Sequence, residues 1–209
     1  MKKGNSRSPS LKRKVAREAA LLLYTSQEKE YKQAKKRAAG FLGARILPAN
    51  LEVARELDAI AAEREGSSRH ERLAQMRREA LEIMQMLEAF SPRLIGSVWR
   101  GTTNRRSYID IITFASAPNS VLAQLQKSSF SIAKTEWLSV TKKGRKATSF
   151  HIYLALPSRN EAEVVVRPAE KSNRYEKCEI YGDEVTGLNI PQLAKVLKED
   201  PIARFVPLF

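Results

Sequence analysis

Between Arg69 and Phe90 the apolar residues Leu73, Met76, Ala80, Ile83, Met84 and Leu87 recur at three- and four-residue intervals. That is the spacing of one face of an α-helix, and the stripe reads as a packing face rather than a ligand box. Similar patterns predict helices over Leu11–Tyr24, Gln27–Ala39 and Leu51–Glu65. Thr25 and Glu28 stand in capping-box spacing, Gly40 reads as a stop, and Asn50 and then Ser68 with Glu71 read as further caps. After Pro92 the pattern changes to short runs rich in β-branched and aromatic residues: Arg93–Gly96, Tyr108–Phe114, Phe130–Val140, Ser149–Ala155 and Glu163–Arg167. These predict strands, with short helices near Asn119–Lys127 and Pro191–Lys198. The expected fold is α+β: a basic arm over residues 1–10, a helical section over 11–90, and a mixed sheet flanked by helices over 91–209.

At 209 residues and 43% hydrophobic, the chain can bury one ordinary core beside a helical section. No apolar run approaches the ~20 residues that span a bilayer, and the basic N-terminus is not followed by the apolar core of a secretory signal. A cytoplasmic protein without a membrane partner is expected. The lone Cys178 excludes an internal disulfide and a cysteine-based zinc cluster, and two histidines, His70 and His151, argue against a conventional zinc site. His151 lies in an apolar strand and reads as a satisfied packing residue. Trp99 and Trp137, single aromatics in turn and strand context, read as core. There is no internal repeat, P-loop, RNA-recognition signature or zinc knuckle.

Charge changes the picture. The net charge is +14, and it is concentrated in two places. Residues 1–45 hold thirteen Lys or Arg against three acids, and residues 91–157 hold ten against two, whereas acids outnumber bases in the remainder. Clustering of that kind is the footprint of a protein that neutralises phosphates and releases counterions. The candidate contacts are Lys2, Lys3 and Arg7 on the N-terminal arm, Lys12, Arg13 and Lys14 on the first helix, and Lys32, Lys35 and Lys36 on the second. Arg105 and Arg106 join them, with Lys142, Lys143, Arg145 and Lys146 at a basic turn between two strands.

The remaining signal is a short motif. Leu94-Ile95-Gly96-Ser97-Val98-Trp99-Arg100-Gly101-Thr102 is followed closely by Tyr108-Ile109-Asp110-Ile111. A Gly-Ser turn opening a helix can offer backbone N–H groups and a hydroxyl to phosphate, which makes Gly96, Ser97 and Arg100 candidate phosphate contacts. Residues two apart on a strand share a face, about 7 Å apart along the backbone, so Tyr108, Asp110 and Ile112 point the same way. Glu163, and after it Glu161, is the best further acid on a neighbouring strand.

These residues resemble the signature of the DNA polymerase β-like nucleotidyltransferase superfamily. There an apolar strand runs into Gly-Ser and the next strand carries two acids as Asp-x-Asp, which hold a pair of Mg²⁺ ions. The chain also resembles a group of small archaeal proteins with a nucleotidyltransferase domain. The matching segments include Arg17-Glu18-Ala19-Ala20-Leu21-Leu22-Leu23-Tyr24, Leu47-Pro48-Ala49-Asn50-Leu51-Glu52 and Glu176-Lys177-Cys178-Glu179-Ile180-Tyr181-Gly182-Asp183. In that group a Gly-Ser-Asp-x-Asp run precedes the second strand, whereas here it reads Arg106-Ser107-Tyr108-Ile109-Asp110. A neutral phenol is a poor Mg²⁺ ligand, and losing one ligand of a metal pair can forfeit several kcal/mol of transition-state stabilisation. Two readings stand. The first is an RNA-binding protein on a nucleotidyltransferase scaffold, without catalysis or cofactor, attached to a structured RNA such as ribosomal RNA, with ribosomal proteins as possible neighbours. The second is an active enzyme using Mg²⁺ and a nucleoside triphosphate, with Asp110 and Glu163 as catalytic metal ligands.

Overall fold

The computed structural model describes residues 10–142 and 145–207, and side chains outside 140–147. The calls on Lys2, Lys3, Arg7 and Lys143, and on the side chains of Lys142, Arg145 and Lys146, lie outside the described residues. The helices-then-sheet order expected of an α+β chain is present, and it divides into two compact units. Among the described residues no helix is long and apolar enough to cross a membrane.

The helical unit comprises the chain up to Gly66, with residues 104–106 and 179–182. Helix α1 spans Leu11–Tyr24, α2 spans Tyr31–Phe41 and α3 spans Asn50–Glu65. Their buried faces are dominated by small residues: Ala16, Ala19 and Ala20 of α1, Ala34, Ala38 and Ala39 of α2, and Val53, Ile60 and Ala61 of α3. Alanine combines high helix propensity with little bulk. Two local readings are corrected. The Thr25 hydroxyl donates to Leu21 O at 2.8 Å and so closes α1, and α2 begins only at Tyr31 and runs through Gly40 to Phe41. A threonine that can back-bond to the preceding turn serves the helix behind it. Asn50 lies within α3: its carbonyl oxygen accepts from Lys35 Nζ at 2.7 Å, its amide donates to Glu179 O, and Glu52 caps the Ala49 N–H at 2.7 Å.

The sheet unit contains the rest. Helix α4 spans Ser68–Met86, and its Met and Leu stripe packs into the sheet unit's core. Strand β1 is Arg93–Ile95, α5 is Gly96–Arg100, β2 is Ile109–Phe114, α6 is Pro118–Leu125, β3 is Ser131–Lys142, β4 is Arg145–Ala155, β5 is Glu161–Arg167 and α7 is Ile190–Glu199. The sheet order is β1-β2-β5-β4-β3, with β2 and β5 parallel and every other neighbour antiparallel. Alternation divides the strands cleanly. Ile109 and Ile111, Ala162, Val164 and Val166, and Ile152 and Leu154 face the core with Leu73, Met76, Ile83, Met84, Val98, Val121 and Leu193. The opposite face carries Asp110, Glu163, Tyr153 and His151. The free edge of β1 is taken up by Leu188, which exchanges two backbone hydrogen bonds with Leu94. Gly187 makes that approach possible, since a Cβ there would stand 2.6 Å from Leu94 O.

Candidate functional site

The site is built at the start of β2. Gly96 has φ +70°, a conformation open to glycine without strain, and its Cα lies directly against the Asp110 carboxyl. A Cβ on Gly96 would be 2.0 Å from Asp110 Oδ2, so the glycine is required by contact as well as by its torsion. Ile95 stands opposite Asp110 in the antiparallel ladder, and Glu163 stands opposite it in the parallel ladder. The register thus sets two acids side by side on one face. Burial, and secondarily the charge of Glu163, pushes the Asp110 carboxyl up to about 7.

Glu163 is held from the other side. Its Oε1 lies 2.6 Å from His151 Nδ1, and His151 Nε2 lies 2.8 Å from Ser149 Oγ. With a neutral imidazole protonated on Nδ1, the ring donates to Glu163 and accepts from the serine hydroxyl. His151 is therefore hydrogen-bonded on both ring nitrogens within a polar row on the open face, not packed among apolar side chains as its strand context suggested. On the next strand position the Tyr153 hydroxyl donates to Glu136 Oε1 at 2.9 Å, and Lys134 Nζ is 2.6 Å from Glu136 Oε2. Burial and hydrogen bonding to these acids raise the Tyr153 phenol above its ordinary range. The lysine and the tyrosine hold Glu136 below the ordinary carboxylate range. Sequence reasoning missed this row. The available signal was the Ser149-x-His151-x-Tyr153 spacing, three polar groups on one face of a strand.

Other expected contacts are placed differently. Arg100 is buried and turned inward: it pairs with Asp183 through Nη1 at 3.0 Å and Nη2 at 2.7 Å, and donates to Phe205 O. Its guanidinium is also stacked over Trp99 at 4.3 Å. This occupied fork is not presented to a phosphate. Ser97 is half-buried in α5. Tyr108 precedes β2 by one residue and is 43% exposed. Glu161 is exposed at the first position of β5. Trp99 is core, but Trp137 is not: it is 60% exposed on the edge strand β3, against Phe150 at 5.0 Å between ring centroids.

The basic residues also sort by partner. On α1, Lys12 pairs with Glu52, Arg13 with Glu56, and Arg17 with Glu56 and Glu63. Lys35 is hydrogen-bonded to Asn50. Arg105 lies over the Tyr24 ring at 4.8 Å. Lys14, Lys32, Lys36 and Arg106 are exposed. Among the described residues no group of three or more His, Cys, Asp or Glu side chains is arranged to hold a metal ion.

No protein-family model matches the chain, and no curated protein matches it. Among solved structures it is similar to Cid1 in complex with the UTP analog UMPNPP, at TM-score 0.34 and 16% identity over 54% of this chain and 36% of that one. It is also similar to the GLD-2/RNP-8 complex, at TM-score 0.35 and 14% identity over 58% and 38%. The chain spans little more than a third of each of those proteins.

Proposed function

We propose that this protein binds structured RNA on a nucleotidyltransferase-like scaffold, without turnover, and that ribosomal RNA is its first candidate partner. The observation that supports binding most directly is the sorting of cations. Among the described residues Lys32 and Lys36 of α2 face solvent with no carboxylate across from them, whereas Lys12, Arg13 and Arg17 of α1 are paired with acids of α3. Unneutralised lysines on one helix face suit a phosphate backbone, and each phosphate they meet adds to the salt dependence of binding.

The donor set supports a reading without turnover. Asp110 and Glu163 are adjacent acids, and Tyr108 stands where the resemblance calls for a third ligand. Two carboxylates can hold one Mg²⁺ whose other positions are water or phosphate, but they do not supply the bridged pair that activates a hydroxyl and neutralises pyrophosphate. A bound Mg²⁺ would supply charge neutralisation for a phosphate; the protein's own residues only hold and orient it. The second reading, an active nucleotidyltransferase acting on RNA, a protein or a small alcohol, is favoured by one specific observation, the close packing of Gly96 on Asp110.

A native pull-down separates them. The bound RNA is sequenced, and the same sample is assayed for transfer of labelled nucleotide at low and high Mg²⁺. Stoichiometric ribosomal RNA without transfer is expected. Nucleotide incorporation abolished by Asp110→Ala would establish the enzyme instead. Tyr108→Asp is expected to leave RNA affinity unchanged and to create no turnover by itself.

A further inference from the structure

One turn of alternation beyond the two acids, the open face of the sheet carries a cavity of about 160 Å³. Its floor is apolar: Ile95 of β1, Ile112 and Phe114 of β2, and Val185. Its rim is cationic, with Arg93, Arg167 and Arg174 against the single acid Glu176. The guanidinium of Arg93 lies 4.8 Å from the Tyr175 ring centroid and donates to the Tyr175 hydroxyl at 2.6 Å, so the ring is pinned as a wall while remaining 44% exposed. Arg167 is held by Glu176, with Nη1 3.0 Å from Oε1. Arg174 is exposed and has no carboxylate partner among the described residues. Neither the packing of the unit nor the row of polar residues from Asp110 to Glu136 uses this combination.

Each feature narrows the ligand. A guanidinium rim with one acid selects an anion, and Arg forks match phosphate oxygens in pairs. An exposed aromatic wall above an apolar floor selects a flat ring, because stacking on an aromatic face is tolerant of which ring it meets. The volume is well below the ~300 Å³ at which pockets for drug-sized ligands begin, so it suits one ring system rather than a larger body. We propose that this cavity binds a nucleoside phosphomonoester, with the base between Tyr175 and the Ile112–Phe114 floor and the phosphate on Arg174 and Arg93. A free mononucleotide and the 5′-phosphorylated end of an RNA chain both present that chemistry. Choosing an RNA end as the source rests on the RNA-binding reading above; the pocket itself does not.

The test uses the full chain and calorimetric titration with AMP, UMP and the corresponding nucleosides. It adds one oligoribonucleotide prepared with a 5′-phosphate and with a 5′-hydroxyl. Saturable binding of a mononucleotide is expected, weakened at least tenfold when the phosphate is removed, and weakened about tenfold by Arg174→Gln and by Arg93→Gln. Arg174 is exposed, so its substitution leaves the fold intact and keeps the test open. A preference of the oligonucleotide for the 5′-phosphate form identifies the RNA end as the source. Equal binding of the two forms, with mononucleotide binding retained, identifies the free nucleotide. No saturable mononucleotide binding, or binding unchanged in both arginine variants, overturns the proposal. If the RNA is bound but no mononucleotide is, the pocket fails and the RNA reading stands; if a mononucleotide is bound but no RNA is, the RNA reading fails and the pocket stands.

Discussion

The two sides of the sheet unit handle buried charge in opposite ways. On the side built by α4, α5 and the C-terminal segment, Arg77 is fully buried, and its guanidinium donates to Val98 O, Trp99 O, Pro201 O and Ala203 O at 2.8 to 3.1 Å. Burial still lowers its pKa to about 10, which leaves it charged at neutral pH. On the open side Asp110 sits beside a second acid, and its carboxyl is pushed up to about 7. A buried ion whose bonds are complete is an element of the fold. A half-buried acid with a like-charged neighbour is instead set apart from the needs of folding, which is how groups at binding and catalytic sites are commonly arranged.

The strongest way to break this contrast is Arg77→Ala. It removes four hydrogen bonds donated to backbone carbonyls by a fully buried side chain, and a loss of about 3–5 kcal/mol is expected in urea unfolding. A loss under about 1 kcal/mol would mean that the arginine is incidental. On the open side Gly96→Ala drives a methyl into the Asp110 carboxyl and forces a non-glycine residue to φ +70°. It should destabilise by roughly 3 kcal/mol. The clash part should be relieved by adding Asp110→Gly, giving a coupling above about 1 kcal/mol in the double-mutant cycle. Strict additivity would show that the close contact does not persist in solution.

The pH dependence of Asp110 comes next. An acid whose folded pKa lies above its unfolded value binds its proton more tightly in the native state. Protonation therefore stabilises the fold below the ordinary aspartate range, and that stabilisation is lost as pH rises through about 7. From pH 5 to pH 8 the wild type should lose roughly 2 kcal/mol that Asp110→Asn does not lose. Added Mg²⁺ sharpens the comparison: recovery of stability at pH 8 in the wild type alone would mean that the two acids take a cation. Parallel pH profiles of wild type and variant would remove Asp110 from the titration.

How far the sequence leads depends on the range of the interaction. The helical stripe from Leu73 to Leu87 and the alternation in β2 and β5 are local patterns, and they appear where their periods place them. The basic first half of β4, Arg145–Thr148, breaks no rule of strand chemistry but lacks apolar alternation, so it is recognisable only from its pairing with β3. The start of α2 lies beyond the Thr25 capping position because a threonine can cap the helix behind it or the one ahead, and here its hydroxyl bonds back to Leu21 O. At the site, the Gly-Ser turn and Asp110 were legible. The adjacency of Glu163 depended on β5 lying parallel to β2, a pairing across about fifty residues. Arg77 left a trace that was available: it follows Leu73 by four residues within the apolar stripe, a position where a solvated arginine does not belong. Arg100 left none, since its partners Asp183 and Phe205 are remote in the chain.

The smallest expected effect carries the contrast between partnered and unpartnered charge into the helical unit. Lys12 faces Glu52 in an exposed pair, of a kind that contributes ~0–1 kcal/mol to stability, and the exposed Arg13 faces the largely buried Glu56, which Arg17 also holds. Among the described residues Lys32 and Lys36 have no such acid. Lys32→Gln with Lys36→Gln should therefore leave the unfolding free energy unchanged while weakening RNA binding by about 1 kcal/mol at moderate salt. It should also lower the slope of log affinity against log salt by about 2, one for each phosphate released. Lys12→Gln with Arg13→Gln should do the reverse, shifting stability slightly and the salt slope less, because those cations are already neutralised within the protein. The comparison is made with one RNA at several salt concentrations, since a single affinity cannot separate a lost phosphate contact from a lost fold. Equal slopes for the two double variants would mean that internal pairing does not determine which cations meet RNA, and the basic face would then have to be assigned by net charge alone.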